Sequence, residues 1–192
     1  MAACSRTPSA TRGPFTSPGA SGAPSTGPTE KPVGAESNPP GDIPDNQAFV
    51  SYRVDAAGFD LRAPEGWARR TTTSTVNFSD KLNAVLVGWK AASAAPTTRS
   101  ARSNDVPALQ RTERAFQLVG VTQVSLPVGA AVLITFRENS APNDVTGRQY
   151  RLDVLRYELY RSGREVDVSL SSPVGADNVD PWRIVSRSFR WV

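Results

Sequence analysis

The stretch YRLDVLRYELYRSGREVDVSLSSP, residues 150–173, decides the fold of this chain. On both sides of Ser162 and Gly163 its apolar residues alternate with polar ones, which is typical of two half-buried β-strands joined by a tight turn. The alternation slips by one residue between Val154 and Leu155, and such a slip predicts a β-bulge. A helix is the competing interpretation of the first half. The hairpin is preferred because the turn leads directly into a second alternating run.

Further strands are predicted on the N-terminal side of this hairpin. Residues 82–89, LNAVLVGW, are almost all apolar, which is typical of a central strand that is covered on both faces. Alternating patterns predict the other strands at residues 49–55, 59–64, 73–80, 120–127 and 130–138.

One helix is predicted in the middle of the chain. Residues 91–102 are small and polar, and they predict a loop. Ser103 can then cap a helix over residues 104–117, with Pro107 in its first turn.

A second helix is predicted at residues 175–191, GADNVDPWRIVSRSFRW. Asp177 or Asn178 can cap it, and Pro181 fits its first turn. The sum is an α+β fold, in which a mostly antiparallel β-sheet is covered by helices packed on it.

The first 46 residues differ in composition from the rest. They contain nine of the sixteen prolines, no Leu or Trp, and Phe15 as their one aromatic residue. Such a segment cannot bury enough apolar surface to offset the entropy of ordering it. We therefore predict a disordered Pro/Ser/Gly-rich tail over residues 1–46 and a single domain over residues 47–192.

Several classes of active site are excluded. The chain has no histidine and one cysteine. Histidine is the commonest general base and metal ligand, so neither a Ser-His nor a Cys-His arrangement can form. Glycine-rich phosphate loops and other catalytic motifs are absent as well. We predict no catalytic residue, no cofactor and no metal site, and the chain is not expected to be an enzyme.

Two acidic sets allow a catalytic or metal-binding interpretation that the sequence does not favour. Glu158 and Asp167 could form an acid–base pair across the hairpin, but an exposed sheet face with Arg156 as their partner explains them more simply. Glu138 and Asp144 flank a loop of oxygen-bearing residues that could hold calcium, but their spacing matches no calcium-loop motif.

Arginines cluster around the hairpin and could bind an anionic headgroup or a cell-wall polymer. Acidic residues are interleaved with them, which disfavours nucleic acid as a partner. The formal net charge of +4 favours anionic neighbours only weakly. The candidate residues of this anionic-partner surface are Arg148, Arg151, Arg156, Arg161 and Arg164.

The one cysteine lies in Ala2-Ala3-Cys4-Ser5. This stretch resembles the lipobox at the end of bacterial lipoprotein signals, although Met1 stands where the motif has leucine and the upstream part of the signal is missing. The resemblance implies that Cys4 becomes the first residue and carries a diacylglyceryl group, whose two acyl chains form a stable anchor. The chain would then lie at the outer face of the cell membrane, provided that the true start is upstream of Met1.

The domain also resembles a known family. The pattern F-x-L-x-x-P-x-G-W at residues 59–67 and the sequence S-F-R-W at residues 188–191 are similar to those of actinobacterial secreted lipoproteins with a PsbP-like α/β/α sandwich domain. Both pieces indicate the fold and carry no chemistry. The resemblance implies a non-catalytic binding or assembly protein of a membrane-adjacent space.

These observations predict a lipid-anchored cell-envelope lipoprotein whose tethered domain binds a protein or an envelope polymer. The alternative is a stand-alone extracytoplasmic sensor-like domain that binds a small ligand. The chain is expected to be a monomer. The sequence predicts neither the identity of the partner nor the position of its site.

Overall fold

A computed structural model describes residues 1, 30–37 and 40–192 of the chain. Cys4 and most of the predicted tail lie outside the described residues. The strands are β1 (Phe49–Val54), β2 (Phe59–Pro64), β3 (Ala68–Thr71), β4 (Thr75–Asp80), β5 (Asn83–Ala91), β6 (Gln117–Leu126), β7 (Gly129–Asn139), β8 (Arg151–Arg161), β9 (Arg164–Pro173) and β10 (Arg190–Trp191). The helices are α1 (Thr98–Ser100), α2 (Val106–Thr112) and α3 (Val179–Ser188), with a π-helical turn at Ala101–Asp105 between α1 and α2.

A seven-stranded antiparallel sheet forms the centre of the fold, with the strand order β3-β4-β5-β9-β8-β7-β6. The predicted hairpin is confirmed as β8 and β9, which lie in the middle of this sheet. Its turn needs two residues in the left-handed region, and Ser162 and Gly163 have φ values of 48° and 81°. The predicted α+β fold class is therefore confirmed.

A second, smaller sheet was not predicted. It has the strand order β1-β2-β10, and together with α3 it covers one face of the large sheet, which we call the core face. Phe59 of β2 stacks on Phe189 with ring centroids 5.3 Å apart. Trp89 of β5 contacts the Phe59 ring edge-on, with ring centroids 5.9 Å apart. The main hydrophobic core thus lies between the two sheets, where buried aromatic rings add specific contacts to the area that they bury.

The opposite face of the large sheet, which we call the helical face, is covered over β6–β8 by α1, the π turn and α2. The prediction of a loop to residue 102 and a helix over 104–117 was wrong at both ends. Thr97, not Ser103, caps the segment, because Thr97 and Ser100 form a reciprocal capping box. Pro107 lacks the N–H that would continue the α-helical pattern, and the preceding turn is π-helical, with the N–H of Val106 donating to the carbonyl of Ala101.

The predicted β-bulge in β8 is wrong. β8 pairs with β7 and β9 without a register shift, and the irregularity lies instead at Val119 of β6. The slip in the sequence of β8 has another cause, since Val154 packs under α2 on the helical face while Leu155 and Leu159 pack on the core face. Both faces of this strand are covered, so its apolar residues change sides without a bulge.

The final helix ends earlier than predicted. α3 stops at Ser188, and Arg190 and Trp191 pair with β2. Asn178 occupies the N-cap position, but its side chain makes no capping hydrogen bond. None of the described helices is long or apolar enough to cross a membrane.

Several described residues before Gln47 contact the domain. Ile43 is buried in the main core, and its N–H donates to the side-chain oxygen of Asn178 at 2.7 Å. The side-chain NH₂ of Asn178 in turn donates to the carbonyl of Gly41 at 2.9 Å. Further along, Glu30 accepts hydrogen bonds from Arg114 and Asn139. The sequence-based division at residue 46 did not anticipate these contacts, and the division itself remains a prediction.

Candidate functional site

The candidate binding site is an open groove of about 590 Å³ on the core face, between α3 and strands β6–β8. The small sheet covers the neighbouring part of this face, and α3 alone covers the edge over β6–β8, which leaves a gap beside the helix. The volume lies within the range of about 300–1,000 Å³ that is usual for small-molecule sites. We call this feature the groove.

The floor of the groove is mainly apolar. Leu155 and Tyr157 of β8, with Leu126 of β6, form the sheet side, and Trp182 of α3 forms the helix side. Burial raises the pKa of the Tyr157 phenol, so this side chain is neutral at physiological pH. Two valines at the edge are well exposed, Val119 at 59% and Val179 at 70%. An apolar surface of this kind is a common sign of a binding site.

The rim of the groove carries three arginines and one carboxylate. Arg137 donates to Asp153 at 2.7 Å, and Arg183 pairs with Asp180, its neighbour on the same helix, at 2.8 Å. Arg187 makes no ion pair among the residues that the structure describes. The rim therefore keeps one uncompensated positive charge next to an apolar floor.

The sequence did not predict this site, because its walls come from elements that are far apart in the chain. Tyr157 and Trp182 lie within a predicted strand and a predicted helix, and no motif in the sequence marks them as binding residues. Arg187 lies at helical spacing from Arg183 on the solvent side of α3, and this pair is the one signal in the sequence for the cationic rim.

The five arginines that were predicted to form an anionic-partner surface do not lie together. Arg151 begins β8 and Arg148 lies in the loop before it. Arg161 and Arg164 are about ten residues further along, on the order of 34 Å for an extended strand. Arg151 is 5% exposed and donates to the carbonyl of Ala115 and the side chains of Asn139 and Gln117. Desolvation by burial, together with nearby Arg137, lowers its pKa.

The remaining three of these arginines have different surroundings. Arg156 lies on the helical face, where it forms an ion pair with Asp167 at 2.9 Å. Arg161 and Arg164 line a depression of about 690 Å³ at the hairpin turn, beside Lys90 and Trp191. An anionic-partner surface remains a prediction, and the geometry restricts it to this depression.

The two acidic sets have also been located. Glu158 and Asp167 lie directly opposite each other in the β8–β9 register, but Glu158 is fully buried, so the predicted exposed sheet face is wrong at this position. Burial and the neighbouring Glu113 carboxyl raise the pKa of Glu138 to about 8. The Glu138 carboxyl thus lies close to the Glu113 carboxyl. Asp144 lies in an exposed turn.

No model of a known protein family matches the chain, and no curated protein matches its sequence. Solved structures do match its fold. Cyanobacterial PsbP (CyanoP) from Synechocystis sp. PCC 6803 aligns with a TM-score of 0.52 at 15% identity, over 81% of this chain and 100% of that one. The domain therefore has a PsbP-like fold, and at this identity the likeness concerns the fold alone.

Two further structures are similar at lower scores. LpqN, a Mycobacterium tuberculosis protein involved in cell envelope biogenesis, aligns with a TM-score of 0.47 at 9% identity, over 76% of this chain and 91% of that one. A protein from Bacteroides thetaiotaomicron VPI-5482 aligns with a TM-score of 0.47 at 11% identity, over 74% of this chain. The alignment spans 48% of that longer protein.

Proposed function

We propose that this chain is a non-catalytic binding protein of the cell envelope, and that the groove binds an amphiphile with a linear acyl chain and an anionic head group. The observation that carries the proposal is the apolar floor beside a cationic rim, which suits the two ends of such a molecule. The sequence-based expectation of a protein or envelope partner is thereby narrowed to an envelope amphiphile. The sensor-like alternative would place a soluble small ligand in the same groove.

The chemistry of the groove supports a binding role. Asp153 is the one carboxylate among its lining residues, and Arg137 neutralises it. Tyr157 is protonated, and the arginines cannot act as bases at physiological pH. The described lining thus offers recognition groups and no activated acid or base.

The location of the protein at the outer face of the cell membrane, through a diacylglyceryl group on Cys4, is part of the same proposal. An anchored binding domain would work close to a surface rich in acyl chains and anionic head groups. The lipobox resemblance around Cys4 supports this location.

The first test is the dependence of affinity on chain length. We expect the full chain to bind octanoate, decanoate and dodecanoate with an affinity that rises about fourfold per added methylene, since each buried methylene contributes about 0.8 kcal/mol. Isothermal titration below the micellar concentration of each ligand measures this series. Affinity that does not change with chain length would refute an acyl-binding groove, and binding of a soluble, non-acyl ligand instead would favour the sensor-like alternative.

Two variants locate the binding site. Thr135 lines the groove from the middle of β7, so Thr135→Trp fills it with a residue that strands accept and should abolish binding. Arg187→Glu should weaken the binding of decanoate but not of decyl maltoside, which has an uncharged head group. Arg111→Glu is the matched control, because Arg111 is an exposed residue of α2 on the helical face.

The anchor is tested separately. In membranes of the native host, we expect the N-terminal peptide to begin at Cys4 and to be heavier by a diacylglyceryl group, and we expect Cys4→Ser to release the protein from the membrane fraction. Intact-mass analysis of the peptide gives the answer. An unmodified Cys4 in the soluble fraction would refute the anchor and leave the groove proposal to its own tests.

A further inference from the structure

A second group of polar side chains lies on the helical face, on the opposite side of the sheet from the groove. It contains four carboxyl groups and two cationic groups from β5, the π turn, β8 and β9, and we call it the charged cluster. Its members are Lys90, Asp105, Arg156, Glu158, Glu165 and Asp167.

Three of the carboxyl groups converge. Asp105, Glu158 and Glu165 each direct one oxygen to a common point, where these atoms lie within 4.8 Å of one another. This distance suits oxygen ligands around one cation, since a metal–oxygen bond of about 2.0–2.6 Å places opposite ligands about 4–5 Å apart.

The Glu158 carboxylate has no hydrogen-bond partner inside this cluster. Its side chain is completely buried, and neither carboxylate oxygen has a hydrogen-bond partner among the described residues. The nearest cationic atom is Nε of Arg156 at 3.6 Å, and this buried nitrogen is also without a hydrogen bond. A buried carboxylate without hydrogen bonds is costly, so its position needs an explanation.

The two cationic residues compensate other carboxylates. Arg156 Nη1 lies 2.9 Å from Asp167, and Lys90 Nζ lies 2.9 Å from Glu165 and 4.0 Å from Asp105. Gly88 makes room for this arrangement, because a Cβ at that position would lie 2.9 Å from the Asp167 carboxylate. When all four acids are ionised, their negative charge exceeds the positive charge of Arg156 and Lys90, so the cluster attracts a further cation.

We propose that the charged cluster binds one hard divalent cation, with Asp105, Glu158 and Glu165 as its protein ligands. An all-oxygen ligand set without His or Cys suits Ca²⁺, Mg²⁺ or Mn²⁺ rather than softer metals. The cation takes the position that the Lys90 ammonium holds between Asp105 and Glu165. Lys90 can vacate it, because its side chain is 52% exposed and reaches solvent.

The pKa shifts of Glu158 and Lys90 agree with the positions of the charged groups in the cluster. Burial, and next the Asp105 carboxylate, raise the pKa of Glu158 to about 7. Desolvation opposes the charge on Lys90 most strongly, but the combined attraction of Glu165, Asp105 and Asp167 outweighs it and raises the pKa of Lys90. The carboxylates of Asp105 and Glu165 thus face Glu158 without full compensation, as the positions of their oxygens also indicate.

Titration of the full chain with CaCl₂, MgCl₂ and MnCl₂ tests the site, after removal of metals with a chelator. We expect one cation per chain for at least one of the three, with a melting temperature that rises with cation concentration. Glu158→Gln and Asp105→Asn should each weaken binding by more than about tenfold, the least that even outer-shell partners of a metal usually cost. Asp105 is half-buried, so its variant tests the site if Glu158→Gln does not fold.

Lys90→Gln distinguishes a cation site from a purely structural ion network. Removing the competing ammonium should strengthen cation binding about tenfold or more, although it removes the ion pair with Glu165. Glu138→Gln is the matched control, since it changes a glutamate outside the charged cluster whose pKa is also raised. No binding of any of the three cations at millimolar concentration, or unchanged affinity in Glu158→Gln and Asp105→Asn, would overturn the proposal.

Discussion

Replacing Phe189 by alanine should lower the free energy of unfolding by about 3–5 kcal/mol, the cost of removing a large aromatic side chain from a core. Phe189 follows α3 and is almost completely buried. Its ring stacks on Phe59 at 5.3 Å and meets Trp191 edge-on at 5.0 Å. The substitution therefore removes the aromatic contacts by which the end of α3 packs on β2 and β10. Urea denaturation followed by tryptophan fluorescence measures the loss.

Ile184→Ala is the matched control for Phe189→Ala. Ile184 lies on α3 and is 40% exposed, so its truncation should cost less than about 1 kcal/mol. Equal losses for the two variants would contradict the importance of the aromatic stack for packing α3 on the small sheet. A loss confined to Phe189→Ala would show that α3 is held mainly through the residue that follows it.

Replacing Glu158 by glutamine should raise the free energy of unfolding, in contrast to Phe189→Ala. In the absence of divalent cations and at pH 8, we expect this variant to be more stable than the wild-type chain by about 3 kcal/mol. This figure corresponds to the difference between the ordinary glutamate pKa of 4.5 and the value of about 7 in the fold. Glutamine has nearly the same shape and carries no charge, so it fills the same buried position without an uncompensated carboxylate.

The direction of the Glu158→Gln effect follows from how folding stability depends on pH. Because the pKa of Glu158 is raised, the folded chain keeps a proton that the unfolded chain releases between pH 4.5 and about 7. The stability that this proton contributes is fully present below pH 4.5, and it is lost as the pH rises through about 7. Glu138 also has a raised pKa, so its ionisation lowers the stability of both chains as the pH rises. Wild type and variant must therefore be compared at each pH.

Thermal unfolding at a series of pH values between 4 and 9, with a chelator present, measures the Glu158 effect. The two chains should be similar in stability near pH 4.5 and should diverge above it. Asp167→Asn is the contrasting variant, because Asp167 pairs with Arg156 at 2.9 Å and its loss leaves that cation without its partner. A destabilised Glu158→Gln chain at pH 8 would contradict the prediction.

Much of the strand content could be predicted from the sequence, because alternation reports directly which side of a strand is buried. The β8–β9 hairpin is the best example, since Ser162 and Gly163 mark its turn. The same method misread β8, because a strand that is covered by different layers on its two faces has no single phase. It also missed β3, whose residues 68–71 are all exposed and lack an apolar pattern.

The sites were harder to predict for a physical reason. The groove joins β6, β7, β8 and α3. The charged cluster joins β5, the π turn, β8 and β9, so neither site appears as a local motif. Glu158 was read as an exposed residue because it alternates with apolar neighbours on β8. Thr97 and Asp105 of the helical segment face Glu158 on this side of the sheet. The start of that segment was misplaced in the sequence because the Thr97–Ser100 capping box was not recognised.

The two edges of the large sheet are β3 and β6, and both differ from the central strands. β3 has four residues, all exposed, and Arg69 and Arg70 are among them. β6 is interrupted at Val119, where its pairing register shifts. A short charged strand and an irregular one are poor templates for the strand of another molecule. If many copies are crowded on one surface, this protection against edge-to-edge aggregation allows them to stay separate, with their grooves accessible.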